Sequence, residues 1–198
     1  MRVVRLELGA LSTNCYLVHR EQGTLAIDPA ADAGVILDAL DARGWALDAV
    51  LLTHAHFDHM LALNDLPVEK VYLHRGDGAL LRDPMRNLSG LWSEPYVADK
   101  QPVFLEDGQE FMGFEALHTP GHTPGGLCLY DWKEKELFSG DTMFRGSYGR
   151  TDFPGGDVQA LRESLMRLLG LPGDSRVHPG HGMETTIEAE RRTLGWRG

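Results

Sequence analysis

The sequence has no apolar run near the roughly 18 residues that a membrane-spanning helix needs. Its N-terminus, MRVVRLELGA, lacks the apolar block and small-residue cleavage site of a signal peptide. A cytoplasmic protein outside the membrane is expected. Basic residues are scarce: 19 Lys and Arg stand against 29 Asp and Glu, for a formal net charge of −10. That balance excludes a general affinity for nucleic acid or anionic membrane, both of which reward clustered positive charge. Cysteine is scarcer still. Cys15 and Cys128 lie in apolar, strand-like runs and not in a Cys-x-x-Cys spacing, so buried, reduced thiols are expected.

What remains is the composition of an ordinary globular protein. With 42% hydrophobic and 24% charged residues, disorder is not indicated. A chain of 198 residues can bury a sizeable single core, and a single domain over 1–198 is expected.

One stretch departs from this ordinary pattern. Thr53-His54-Ala55-His56-Phe57-Asp58-His59 packs three imidazoles and a carboxylate into six consecutive positions. Only a tight turn or the start of a helix can aim so many side chains of one short run at one spot. The preceding Ala49-Val50-Leu51-Leu52 reads as a buried strand, which puts the potential ligands at a strand's carboxyl end, where open α/β sheets hold their chemistry.

Around it, strands are predicted at 2–8, 14–18 and 24–27, then a helix from Asp32 whose apolar face is Val35, Ile36, Ala39 and Leu40, with Gly44 as its stop. Met60 to Leu66 is predicted to continue as a short helix until Pro67, followed by a strand at 71–73. From Pro84 to Pro102 the periodicity fades, and this stretch, with Leu91, Trp92 and Tyr96, is a candidate substrate wall. Within it, those three side chains are expected to pack rather than recognise substrate. Strands are predicted at 114–117, 126–130, 136–138 and 175–178, and an amphipathic helix at 157–169. Thr185-x-x-Glu188 has the pattern of a capping box opening a last helix to about Leu194. This order fits two sheets back to back with helices outside.

Three further segments carry ligand-type residues in turns at strand ends: Thr119-Pro120-Gly121-His122-Thr123, Gly140-Asp141-Thr142 and Pro179-Gly180-His181-Gly182. The total becomes five imidazoles, His54, His56, His59, His122 and His181, and two carboxylates, Asp58 and Asp141. One zinc takes four ligands in a structural site, or three plus water in a catalytic one. Seven donors therefore suit two ions with a shared carboxylate. None of the seven is cysteine, which argues against a purely structural site. Asp28, at the end of its strand, is either a turn residue or the hydrogen-bond partner that a ligating histidine needs. His19, His74 and His178 are expected to pack or cap, and His118 to stand no closer than behind the ligands. Tyr148 and Arg150 follow the shared aspartate, and arginine's fork suits a substrate carboxylate.

Through THAHFDH at 53–59, TPGHT at 119–123, GDTMFRGSYGRTDFPGGD at 140–157 and PGHG at 179–182, the chain resembles the metallo-β-lactamase superfamily. Within it, the chain resembles the short glyoxalase II-like (hydroxyacylglutathione hydrolase-like) group. The resemblance implies an α/β fold, a four-layer αββα sandwich of two mixed β-sheets with helices on the outer faces. It implies two divalent metal ions per chain, zinc first and iron or manganese as alternatives. One would be held by His54, His56 and His122, the second by Asp58, His59 and His181, with Asp141 bridging. The implied activity is hydrolysis of a small-molecule thioester, S-lactoylglutathione or another hydroxyacylglutathione, by a metal-bridging hydroxide, with Asp58 steering the proton.

Longer glyoxalase II enzymes add a helical C-terminal domain that supplies much of the glutathione site, whereas 16 residues follow Gly182 here. Arg150 stands where those enzymes have a lysine, and Asp152 where they have a tyrosine. A related reading is the persulfide dioxygenase, which uses one iron on the equivalents of His54, His122 and Asp141. Lactone hydrolysis and a non-catalytic, metal-stabilised binding module are further alternatives. No nucleic-acid or membrane partner is expected.

Overall fold

The computed structural model describes residues 1–195, and in them strands fall into two six-stranded sheets. The first runs β1 (Arg2–Leu8), β2 (Thr13–Arg20), β3 (Gly23–Ile27), β4 (Ala49–Leu51), β5 (Lys70–His74) and β6 (Gln101–Leu105) in spatial as well as chain order. Its first three strands are antiparallel and the rest parallel. The second comprises β7 (Glu110–Phe111), β8 (Phe114–His118), β9 (Leu127–Asp131), β10 (Glu136–Gly140), β13 (Arg176–Pro179) and β14 (Thr185–Thr186), and only β10 and β13 pair in parallel. A small hairpin, β11 (Met143–Phe144) and β12 (Ser147–Tyr148), stands apart. Four α-helices complete the order: α1 (Ala33–Asp41), α2 (Ser89–Trp92), α3 (Val158–Leu169) and α4 (Ile187–Thr193).

Strand alternation builds the layers. Tyr16, Val18, Leu25 and Ile27 of the first sheet meet Phe114, Ala116, Leu127, Leu129 and Phe138 of the second in one buried cluster. Their neighbours point the other way: Cys15, Leu17 and Ala26 join Ile36 and Leu40 of α1. On the opposite side, Cys128, Tyr130 and Leu137 join Leu161, Leu165 and Leu168 of α3 and Ile187 of α4. Three apolar interfaces thus separate four layers, αββα, because side chains in a strand alternate between its faces. Both thiols are buried and free. Among the described residues no helix is long and apolar enough to cross a membrane.

The departures from expectation have local causes. Met60–Leu66 is not an α-helix: single 3₁₀ turns occupy Phe57–His59 and Leu63–Asp65, and Met60 between them has φ −137°. The amides of Leu61 and Ala62 bond Ala30 and Pro29 carbonyls instead of closing helical turns. The strand β6 was not anticipated because Pro102 lies within it; as an edge strand it tolerates a missing donor. The irregular stretch also contains the one-turn helix α2. The last helix is capped one residue later than its capping-box pattern suggests. Thr186 Oγ1 accepts from Ala189 N at 3.2 Å, while Thr185 Oγ1 donates to Glu190 Oε1 at 2.6 Å.

Candidate metal centre

Every potential ligand follows the carboxyl end of a strand: His54 to His59 follow β4, His122 follows β8, Asp141 follows β10 and His181 follows β13. Because β8, β10 and β13 run in one direction, the second sheet delivers its three turns to a single edge. The first sheet delivers Asp28 and the 53–59 turn to the facing edge. Two triads result. The donor atoms of His54, His56 and His122 lie within 4.8 Å of one another, as do those of Asp58, His59 and His181, and Asp141 groups with His54 and His59 between them.

The outer hydrogen bonds decide which way the imidazole lone pairs point. His122 Nδ1 donates to the Arg150 carbonyl at 2.7 Å, and His181 Nδ1 to the Leu11 carbonyl at 3.2 Å. His59 Nδ1 donates to Asp28 Oδ2 at 2.9 Å. Thr53 Oγ1 spends its proton on Asp28 Oδ2 at 2.7 Å, so it accepts from His54 Nδ1 at 3.2 Å. Carbonyl and carboxylate oxygens cannot donate, so each of these four rings uses Nδ1 outward and leaves Nε2 facing inward, available as a ligand once it carries no proton. His56 faces His122 Nε2 through its own Nδ1 at 3.0 Å.

Ligand-type atoms therefore converge on one another. His54 Nε2, His59 Nε2 and Asp141 Oδ1 are buried and have no hydrogen-bond partner; His56 turns Nδ1 toward His122, leaving its own Nε2 unpartnered on the other side of the ring. His59 Nε2 lies 3.5 Å from Asp58 Oδ2 and 3.4 Å from Asp141 Oδ1, and His181 Nε2 lies 3.3 Å from Asp58 Oδ2. Ligands on a tetrahedral ion with bonds of ~2.1 Å are separated by about 3.4 Å. Imidazole nitrogens and carboxylate oxygens gathered at that spacing fit divalent cations.

Charge divides the centre in two. Burial, reinforced by neighbouring rings, pushes His54 well below the ordinary imidazole range and His56 down to about 3. Around His59 burial opposes protonation, yet Asp58, Asp141 and Asp28 outweigh it and raise the ring to about 10. Burial likewise opposes ionisation of Asp58, but His59 and His181 hold its carboxyl below the usual carboxylate range. Burial thus keeps His54 and His56 neutral, whereas around Asp58 an ionised carboxylate holds a proton on His59. A cation entering beside Asp58 must displace that proton, since ligating imidazole is neutral.

Several positioning residues lie outside the motifs. Thr13 Oγ1 donates to Asp58 Oδ2 at 3.0 Å. Asn14 Nδ2 bonds both the Pro179 and Gly182 carbonyls at 2.9 Å, and Tyr16 Oη bonds Pro179 O at 2.8 Å, so β2 pins the turn that carries His181. Asp77, fully buried, accepts from Ala55 N at 3.0 Å, Thr123 Oγ1 at 2.8 Å and Gly125 N at 2.6 Å. It ties the 53–59 turn to the turn of His122.

The remaining sequence candidates fall elsewhere. His19 stacks on Trp45, and His178 stacks on Phe138 and bonds Glu136. His74 and His118 stack on one another at 3.7 Å, outside both triads. Arg150 contributes its carbonyl to His122, while its exposed guanidinium pairs with Asp152 through two bonds of 2.6 Å and lies over Phe153. Tyr148 lines a groove of about 480 Å³ along α3. Tyr96 packs against the core, but Leu91 and Trp92 are more than half exposed. Trp92 meets Phe153 edge-on at 5.3 Å, and Phe153 meets His56 at 5.9 Å.

The sequence model of the Metallo-beta-lactamase superfamily matches residues 8–181. The chain belongs to the metallo-β-lactamase superfamily. Its backbone is similar to BLEG-1 B3 metallo-beta-lactamase, with a TM-score of 0.90, 35% identity and coverage of 96% of this chain and 97% of that one. It is also similar to TTHA1623, solved in a di-iron-bound form, with a TM-score of 0.84, 44% identity and coverage of 96% and 98%. Hydroxyacylglutathione hydrolase GloC of Haemophilus influenzae is 32% identical over 98% of this chain and 96% of its own length. Superfamily membership and the two ligand triads make the chain a metal-dependent hydrolase with divalent cofactors.

Asp28 orients this superfamily centre from behind. It accepts from Thr53 N and Thr53 Oγ1 at 2.7 Å and from His59 Nδ1 at 2.9 Å. Asp28→Asn keeps the shape but sets an amide against one of these donors. Metal affinity is expected to fall about 10- to 100-fold, measured by competition with a graded chelator. Unchanged affinity would show that the ring is oriented by packing alone.

Proposed function

We propose that the chain hydrolyses thioesters, with hydroxyacylglutathiones as the substrate class. The observation that carries the reading is the convergence of buried imidazole nitrogens and carboxylate oxygens in two triads flanking Asp141. In this reading His54, His56 and His122 hold one ion, Asp58, His59 and His181 hold the second, and Asp141 serves both. Divalent ions there supply Lewis acidity, which makes water nucleophilic near pH 7 and offsets charge on the attacked carbonyl oxygen. A donor set of imidazole and carboxylate without thiolate suits zinc, iron or manganese.

The protein's own groups do the rest. Asp58 remains ionised beside His59 and His181, and its carboxylate accepts a hydrogen bond from the attacking water and so orients it. A C–O bond forms as the C–S bond breaks; water supplies the oxygen of the acid and the proton of the departing thiol. Arg150 offers its fork to a glutathione carboxylate by exchanging it for Asp152. The similarity to GloC supports this substrate class.

The test is metal content on protein purified without added metal, with S-lactoylglutathione cleavage and oxygen uptake on glutathione persulfide assayed in parallel. Two ions per chain with thiol release is the expected result. One iron with stoichiometric oxygen consumption would replace the hydrolase by a dioxygenase.

A further inference from the structure

A cavity of about 180 Å³ opens directly beside the triad of Asp58, His59 and His181, and Asp58 forms part of its wall. Most of the rest is apolar: Leu8 ends β1, Leu11 lies in the β1–β2 turn, Phe57 and Leu61 lie in and just after the 53–59 turn, and Trp92 ends α2, with the Ser93 hydroxyl beside it. Thr13 also lines it, but its hydroxyl is already committed to Asp58 Oδ2 at 3.0 Å. The Ser93 hydroxyl is likewise held, by the Ser89 and Glu94 carbonyls at 3.3 and 3.0 Å, so away from Asp58 a polar group entering there would lose water for little return, whereas an apolar one gains.

Leu11 and Trp92 at its rim are 46% and 55% exposed. Large apolar side chains left uncovered at the lip of a reactive centre mark a surface that a ligand completes. The cavity shares Asp58 with the donor cluster. In the thioester reading the thiol side is a charged tripeptide, so an apolar cavity beside the donor cluster suits the acyl side.

Size narrows the occupant. A cavity of ~150 Å³ lined by similar side chains holds benzene, while a group the size of one water takes only ~30 Å³. The methyl of a lactoyl group would leave most of the space empty, and a two-ring group would not enter. Building on the thioester reading, we infer that this cavity receives the apolar arm of the substrate's acyl group, an arm larger than methyl and up to the size of a phenyl ring.

The experiment has a structural arm and a kinetic arm, both on the metal-loaded protein. Crystals soaked with iodobenzene are expected to show an anomalous iodine peak between Phe57, Leu61 and Trp92, absent from Leu61→Trp with its metal content intact. For glutathione thioesters whose 2-hydroxyacyl arm grows from methyl through isobutyl to phenyl, kcat/KM should rise about tenfold or more, at about fourfold per buried methylene, and fall again for naphthyl. Trp92→Ala, at an exposed position that leaves the core untouched, should reduce the phenyl-to-methyl ratio about fivefold. Failure of iodobenzene to enter, or kcat/KM flat or falling with arm size while lactoyl is cleaved, overturns the inference. Iodobenzene bound with no thioester cleaved supports the apolar subsite and refutes the thioester reading instead.

Discussion

Asp141→Asn is expected to lower bound metal from two ions per chain toward one and to reduce kcat/KM about 10³-fold, the equivalent of ~4 kcal/mol. Both carboxylate oxygens are in use. Oδ1 is buried without a hydrogen-bond partner and faces His59 Nε2 at 3.4 Å, while Oδ2 stands 3.6 Å from His122 Nε2 and from His181 Nε2. Asp141 therefore addresses both triads at once. An amide keeps one oxygen, turns the other position into a donor and removes the charge that lies between the two triads. Elemental analysis of the purified variant, alongside thioester kinetics, decides the matter. Two ions per chain with near-normal turnover would show that the triads are self-sufficient and Asp141 is not shared.

How much of this was readable in the chain follows the range of each interaction. The 53–59 run announces itself because four donors are local, and the strand before it is a continuous apolar run. His122, Asp141 and His181 were legible as ligand types beside glycine, in turns that end strands. Their division between two triads needs the parallel run of β10 and β13 and the facing edge of the first sheet, which no local pattern encodes. Asp28 was ambiguous for the same reason: its partners Thr53 and His59 are 25 and 31 residues away. Asp77 and Asn14 left no signal, since an acidic residue after a strand and an amide opening one are ordinary surface features. Only burial beside another segment's backbone turns them into ties. Trp92 was expected to pack, and it does meet Phe153 edge-on, but its one-turn helix leaves the ring more than half exposed.

The sharpest trial of the assembled centre removes no ligand at all. Gly180→Ala is expected to cost about 10²-fold in kcat/KM, the order associated with a displacement of reacting groups near 1 Å, together with weaker metal retention. A Cβ built at Gly180 would overlap Asp141 Oδ1, and would stand 2.8 Å from His59 Cε1 and 3.1 Å from the Gly140 carbonyl carbon. The backbone has no room to retreat. Gly180 N donates to Gly140 O at 2.8 Å, and Gly180 O accepts from Asn14 N at 2.7 Å, so the residue is clamped by both sheets. The methyl must therefore push Asp141 out of register with the triads. Gly182→Ala is the control: at φ +75° it is strained, but nothing lies within 4 Å of the added carbon. It should cost ~1–2 kcal/mol of stability, read by denaturant unfolding, with metal content held. If Gly180→Ala keeps both ions and full turnover, the fit of glycine against Asp141 is not what sets the geometry of the centre.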